Sequence, residues 1–468
     1  MCAAAGLGPP DRAAWVRDLV HRADAVTPGA LFVCVRGARA DGHDHAGEAA
    51  ARGAAALVVE RRLEVALPQV VVPDVRRALG PLADAFFGHP TAELPVLAVT
   101  GTNGKTTTAF LIAGMLDAAG RRSGLLGTVL GRVGGRDEPV TLTTPEAIDL
   151  QRAFRRMLDA GDRACVIEAS SIAIAQGRLR SVGLAAVAFT NLSRDHLDFH
   201  GSMDDYFAAK ATLFDGRCPR ATNADDARGR ELPAELRYGV DSGEAELRAL
   251  HVALEADGTR LHLRTPRGEL HLRSPLRGRF NVDNLLCAVA LGLLVDLPDD
   301  AIVAGAASVA APPGRFEAID AGQPFTVIVD YAHTPAGLDA VLASARAVAR
   351  GRVLCVFGAG GDRDGAKRPL MGAAAEAGAD VVYVTSDNPR SEDPEAIISQ
   401  IASGLARPSQ ATLEVDRRSA IARALADARP GDVVVIAGKG HEQGQEVAGT
   451  VHPFDDRAVA RDLIGTSA

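Results

Sequence analysis

The chain has 468 residues and a mass of 48.6 kDa, longer than one hydrophobic core ordinarily spans, so it is expected to divide into domains. Its 47% hydrophobic and 24% charged residues give the balance of a soluble globular protein, and a net charge of −8 with no basic run among aromatics argues against a nucleic-acid binder. Six scattered cysteines without a CxxC pair argue against a disulfide frame or a zinc site and suit free thiols in a reducing compartment.

The opening MCAAAGLGPPD lacks a basic stretch followed by a long apolar one, so no secretory signal is expected. The longest apolar run, 285–295, is well short of the roughly 20 residues of a membrane helix. A cytoplasmic protein without membrane insertion is the expectation. Aromatics make up only 4%, so Ala, Val and Leu must fill the interior, which suits helices packed on parallel sheets.

To about residue 90, the apolar runs ALFVCVRG and AALVVE predict strands, and HDHAGEAAARGA between them a short helix. This first segment is a small α/β unit. A second segment, 91–311, opens with LPVLAVTGTNGKTTTAFLIAGMLDAAG: a short β-branched run, a Gly-rich turn, then apolar residues at helical spacing (Phe110, Leu111, Met115, Leu116). The runs CVIEAS and LAAVAFTNL repeat the strand–turn–helix pattern of a mainly parallel sheet. Residues 248–273 alternate apolar and polar and predict an antiparallel meander at its edge. The third segment, 312–468, holds FTVIVDYA, VLCVFGAGG, DVVYVTSD and DVVVIAGKG between Ala-rich stretches, which predicts a doubly wound, Rossmann-like α/β domain. Ligands of such sheets lie beyond the carboxyl ends of the strands, where these Gly, Asp and His clusters fall.

Gly101, Thr102, Asn103, Gly104, Lys105, Thr106 and Thr107 lie between a predicted strand and a predicted helix. Glycines there let backbone N–H groups converge on phosphate oxygens, the helix N-terminus adds its positive end, Lys105 a full charge, and Thr106 a hydroxyl for Mg²⁺. Val99 stands where the usual Walker pattern has Gly or Ala, so the loop is a GxxGKT variant.

TGTNGKTTT resembles the Mur ligase family, and further matches follow in family order: TTPEAIDLQ, FTNLSRDHLDFHG, YFAAKATLF, GRFNVDN, PPGRFE, DYAHTP, FGAGGDRDGAKRP, SDNPRSEDP and AGKGHE. The resemblance covers nearly the whole chain and is strongest to members that add meso-diaminopimelate to a UDP-linked muramoyl dipeptide in peptidoglycan synthesis. It implies three domains, for the UDP acceptor (1–90), for ATP (91–311) and for the amino acid (312–468). The central one is a P-loop parallel-sheet ATPase domain, and the enzyme a monomer. The implied chemistry is attack of a carboxylate on ATP, then displacement of phosphate by an amine, with Mg²⁺ and cations neutralising charge.

By resemblance, the catalytic and metal positions are Lys105, Thr106, Glu168, His196 and Lys210, the last carbamylated to give a carboxylate. CO₂ reacts only with a neutral amine, so that lysine must be desolvated or near other charges. Asn281, Asn284, Arg315, Asp330 and His333 match positions near the nucleotide, although Asn281 and Asn284 also suit helix capping after Gly278. Thr143, Thr144, Ser170, Gln176 and Arg178 match the UDP-acceptor site. Arg363, Asp387, Asn388, Pro389, Arg390, Gly438 and Glu442 match the diaminopimelate pocket. There Arg390 offers a planar fork to the distal carboxylate, which lysine lacks, and Glu442 a charge for the distal ammonium.

Two departures stand out: Ser170-Ser171-Ile172 where the family has SSH, and Arg22-Ala23-Asp24 where it has D-S-R, which removes a uracil-side contact. They favour a ligase of the same chemistry acting on another acceptor or amino acid, such as L-lysine, folate polyglutamate or a secondary-metabolite peptide; the DNPR and GGDRD pair opposes it. A zinc hydrolase built on His196 and His200 lacks the following Glu and a long helix. A dinucleotide oxidoreductase prompted by GAGG fails because the third Gly of the fingerprint falls on Arg363. A binding scaffold without activity is opposed by the intact Lys105, Glu168, His196 and Lys210.

Overall fold

A computed structural model of the chain describes residues 2–37, 40–255 and 257–465. It divides into two compact units: 1–100, 120–187 and 209–219 form the first, and 101–119, 188–208 and 220–468 the second. Among the described residues no helix is long and apolar enough to cross a membrane.

The first unit opens with four parallel strands in sequence order, Asp18–Val20, Ala30–Val33, Ala56–Val59 and Gln69–Val71. The middle two are buried throughout, as continuous Ala/Val/Leu runs should be in a sheet covered on both faces. One face packs on Val75–Phe86, capped by Asp74 through Arg77 N, and the other on Ala46–Ala51.

The first unit also holds the strands Val96–Thr100, Ala164–Glu168 and Ser123–Leu126, all parallel, then the antiparallel Gly131–Val133 and Arg136–Glu138. In the second unit Arg220–Asn223, Leu236–Gly239 and Leu247–Glu255 are parallel, followed by the antiparallel Gly258–Thr265 and Gly268–Ser274. These last three long strands are the expected edge meander. The helix Lys105–Ala118 packs on Phe280–Leu294 and Asp299–Ser308.

The second unit also holds a six-stranded sheet in the order Glu317–Ile319, Thr326–Asp330, Val433–Ala437, Val353–Phe357, Val381–Thr385, Thr412–Glu414. Its four inner strands are the four expected runs, all parallel; Glu317–Ile319 is antiparallel at one edge. Leu338, Leu342, Met371 and Ile401 fill one face; Ile421, Ala424, Val459 and Ile464 fill the other. This is the doubly wound arrangement, and it brings the carboxyl ends of Asp330, Phe357, Thr385 and Ala437 to one rim.

Candidate active site

The first unit gathers the residues expected at an acceptor site around the end of Ala164–Glu168. Glu168 is 1% exposed. Its carboxylate accepts from Thr128 N (2.8 Å) and Thr128 Oγ1 (3.0 Å), and a Cβ on Gly127 would collide with it. Thr144 Oγ1 donates to Glu168 O (2.6 Å) and lies 3.1 Å from Ser170 Oγ, while Thr128 Oγ1 lies 3.1 Å from Thr143 Oγ1. Arg178 binds Thr144 O (2.7 Å), Gln176 Oε1 (2.7 Å) and Glu146 (2.9 Å). Thus Thr143, Thr144, Ser170, Gln176 and Arg178 form one hydrogen-bonded cluster. Ser170 doubles as the N-cap of Ser171–Ala175. Arg22 and Asp24, at the departed D-S-R positions, make an exposed ion pair with each other.

Lys210 lies on the helix Met203–Ala211 and is 1% exposed. The ordinary fate of a lysine on an Ala-rich helix is the surface. This one is instead buried.

In the second unit the phosphate loop is fixed mainly by backbone. Gly101 (φ 143°) and Gly104 (φ 87°) adopt conformations open to glycine; a Cβ on the first would strike Thr190 Oγ1 and on the second Asn284 Oδ1. Thr102 N donates to Asn191 O (2.8 Å) and Asn103 N to Asn191 Oδ1 (3.0 Å). Thr102 Oγ1 meets Tyr206 Oη at 3.1 Å. Lys105 Nζ curls over the loop onto Gly101 O (3.0 Å) and Thr102 O (2.7 Å), groups a triphosphate would displace.

Asn281 and Asn284 correct the capping alternative. Both are buried inside Phe280–Leu294, whose N-cap is Arg279 without a side-chain cap. Asn281 Nδ2 binds Arg277 O (2.7 Å), and Asn284 Nδ2 binds Asn281 Oδ1 (2.8 Å). The pair faces the loop and explains the glycine at 104.

Arg315 Nη2 donates to Thr106 Oγ1 (3.2 Å), and its guanidinium lies 4.2 Å over the Tyr331 ring. Its buried Nε has no hydrogen-bond partner among the described residues, so the cation is not saturated. Asp330 accepts from Phe316 N and Ala332 N, each at 2.7 Å, and burial raises its carboxyl above the ordinary value. Both oxygens are thus taken by backbone, and Asp330 holds the Arg315 turn.

His196 stands at φ 55° before the four-residue helix Leu197–His200, so His196 and His200 do not share a helical face and the zinc pairing fails. Sequence reasoning missed its neighbour Asp195. The Asp195 carboxylate, 6% exposed, meets His196 Nε2 (3.4 Å), His333 Nε2 (3.5 Å) and Lys367 Nζ (3.7 Å). Burial alone would raise its pKa; the hydrogen bond and charge of His333, with His196 and Lys367, hold it well below the carboxylate range. Beside it Arg194 pairs with Asp364 (2.9 Å).

Thr106 and Glu168 supply hard oxygen donors. Among the described residues no group of three or more His, Cys, Asp or Glu side chains is arranged to hold a metal. Mg²⁺, which keeps water and phosphate oxygens and needs one or two protein groups, suits each of those oxygen donors taken singly.

The residues expected at an amino-acid pocket collect at the rim of the six-stranded sheet. Arg390 (φ 53°) donates from Nη1 to Gly361 O (2.6 Å) and lies 3.4 Å from Glu446, so only part of its fork is open. A Cβ on Gly361 would collide with Pro389 O, which gives GAGG a packing reason unrelated to dinucleotides. Asn388 Nδ2 binds Glu442 Oε2 (2.7 Å), and a Cβ on Gly438 (φ 112°) would crowd Asp387 Oδ2. Arg363 lies farther out, half-exposed, 3.9 Å from Asp198. The hairpin Gly444–Val447/Thr450–Pro453, unforeseen from its polar sequence, binds the backbone of Arg390 through Glu446 O (3.0 Å) and Ala448 N (2.7 Å).

Beneath the rim lies a fully buried ion pair. Arg417 makes two bonds to Asp456 (2.8 and 2.7 Å) and donates to Ser386 O (3.1 Å) and Ala437 O (2.9 Å). These carbonyls end the strands that carry Asp387–Arg390 and Gly438.

Three family models match the chain: Mur ligase family, catalytic domain (19–87), Mur ligase middle domain (99–292), and Mur ligase, glutamate ligase domain (314–440). A UDP-N-acetylmuramoyl-L-alanyl-D-glutamate–2,6-diaminopimelate ligase of Geobacillus thermodenitrificans is 45% identical, over 98% of this chain and 96% of its own. A solved structure of a ligase of that name is 34% identical with TM-score 0.66, covering 97% and 95% of the two chains. A MurF ligase from Thermotoga maritima, solved in complex with ADP, shares the fold (TM-score 0.69, 97% and 98% covered) at 18% identity.

Proposed function

This chain belongs to the Mur ligase family, and on that premise we propose that it adds meso-diaminopimelate to UDP-N-acetylmuramoyl-L-alanyl-D-glutamate at the expense of ATP. The observation that carries this reading is whole-chain likeness to a ligase of that name, supported by a rim where Asn388, two residues before Arg390, binds Glu442. The boundaries proposed for its domains are 1–90, 91–311 and 312–468. The reading includes a monomer acting in the cytoplasm, where ATP is made.

In the first step an oxygen of the D-glutamate side chain bonds to the γ-phosphorus. The bridging bond to the β-phosphate breaks, and ADP leaves. In the second, the diaminopimelate amine attacks the acyl carbon, loses a proton and expels phosphate. Backbone N–H groups of the 101–107 loop, other than those of Thr102 and Asn103 that Asn191 holds, bind the phosphates, and Lys105, swung from Gly101 O and Thr102 O, neutralises them together with Arg315. Asn281 and Asn284 line the nucleotide side. Mg²⁺ would be held by Thr106, Glu168, His196 and carbamylated Lys210, and when bound it supplies charge neutralisation. Thr143, Thr144, Ser170, Gln176 and Arg178 orient the acceptor. Arg363, Asp387, Asn388, Pro389, Arg390, Gly438 and Glu442 take the amino acid, whose distal carboxylate pairs with Arg390.

The test is ATP-dependent phosphate release with the UDP-linked dipeptide, comparing diaminopimelate with L-lysine. Turnover with diaminopimelate and little with lysine is expected. Turnover only with a different acceptor would replace the reading with the one favoured by Arg22–Asp24, whose side chains are spent on each other.

A further inference from the structure

Lys439 is the middle residue of the turn Gly438–Gly440 after the strand Val433–Ala437, and its side chain is 0% exposed. Nζ donates to Asn388 Oδ1 (3.0 Å), Glu442 Oε2 (3.1 Å) and Gly444 O (2.7 Å). An ammonium has three N–H groups, and all three are used. Lys439 therefore neither attacks nor grips a ligand, and whatever it does passes through its neighbours.

Two of those neighbours face the amino acid. Asn388 Oδ1 accepts from Lys439 and from Glu446 N (3.0 Å), while its Nδ2 donates to Glu442 Oε2 (2.7 Å), so the amide has one orientation. Glu442 Oε2 is filled by Lys439 and Asn388. Among the described residues no group donates to Oε1, and the side chain is 31% exposed. The carboxylate thus turns one oxygen outward with its charge already matched from behind.

We propose that Lys439 is a specificity-positioning residue: by balancing Glu442 it fits the pocket to a neutral amino-carboxylate end and removes the advantage of a lone ammonium. A distal end bearing both charges meets Glu442 Oε1 and Arg390 together. A distal ammonium alone meets a carboxylate whose charge is balanced and brings no carboxylate to the open part of the arginine's fork. This rests on the diaminopimelate reading above and adds a reason for rejecting lysine that Arg390 alone does not supply.

Wild-type protein is first shown to turn over diaminopimelate; failure there would sink the functional reading and not this one. Lys439→Met is then expected to reduce the diaminopimelate-to-lysine ratio of kcat/KM about tenfold, mainly through a lower KM for lysine, with KM for ATP unchanged. In a Glu442→Gln background the same change should leave the ratio unaltered. An equal loss for both amino acids would mean a purely structural lysine and overturn the proposal. Lys439→Gln, which keeps two donors for the turn, serves if the Met variant does not fold. A measurement without variants is competition by lysine and by norleucine, its uncharged counterpart. Inhibition constants within a few-fold support the balance, and lysine binding tenfold tighter or more refutes it.

Discussion

The phosphate loop and the amino-acid rim are made of different materials. At the loop, glycines at 101 and 104 and backbone contacts to Asn191 define the shape, and the side chains that matter reach in from outside. At the rim, Arg390, Glu446, Asn388, Lys439 and Glu442 satisfy one another first and leave only part of their bonding capacity open. A backbone cradle tolerates no Cβ but binds any polyphosphate. A network of charged side chains can tell one distal end from another, and each change to it unsettles several groups.

The sharpest way to break the first region is Gly104→Ala. The left-handed φ costs about 1–3 kcal/mol, and the new Cβ also collides with Asn284. ATP affinity should fall at least roughly a hundredfold, read by nucleotide titration, with the diaminopimelate rim intact. Next, Arg390→Ala should cost about a hundredfold in preference for diaminopimelate over lysine while leaving KM for ATP alone. Unchanged preference would remove Arg390 from the pocket.

Asp195→Asn tests the ground between the two regions, since this carboxylate meets His333, which follows the strand Thr326–Asp330, and Lys367, which opens the helix Lys367–Gly378. We expect kcat to fall about tenfold with smaller changes in either KM, measured under saturation. The smallest effect is at Asp283, on the far side of the Asn281 helix. Burial raises its pKa from 3.8 to about 6, with Asp225 and Asp241 adding to the rise and Arg279 opposing it. A carboxyl raised on folding favours the protonated fold, so stability falls as pH rises between about 4 and 6 and stays lower above. With 37% of the side chain exposed, solvent screening leaves about 1 kcal/mol. Asp283→Asn should raise the thermal midpoint at pH 8 and leave it unchanged near pH 4.

What was legible in the sequence follows the same division. Fixed glycine spacing after a β-branched run announced the loop, and continuous Val/Ile/Leu runs announced the four inner strands of the last sheet. The meander of 247–274 announced itself by alternation. Short strands such as Asp18–Val20 and Gln69–Val71 carry too few residues for a period to register. The hairpin at 444–453 is polar and half-buried or exposed throughout, so no hydrophobic pattern marks it. Lys439, Asp195 and Lys367 escaped because burial of a charge depends on partners distant in sequence, as with Asn388 and Lys439, 51 residues apart. Asn281 and Asn284, matched to positions near the nucleotide, also suited capping because Gly278 precedes them, yet the helix starts early enough to turn both inward.

The pairing of Arg417 with Asp456 has one more outcome. Asp456 belongs to the closing helix, Asp456–Gly465. A chain shortened before that helix would keep every group that could touch the incoming amino acid. It would nonetheless leave the Arg417 guanidinium under two strand ends without its carboxylate, and selectivity would blur with no selecting residue removed.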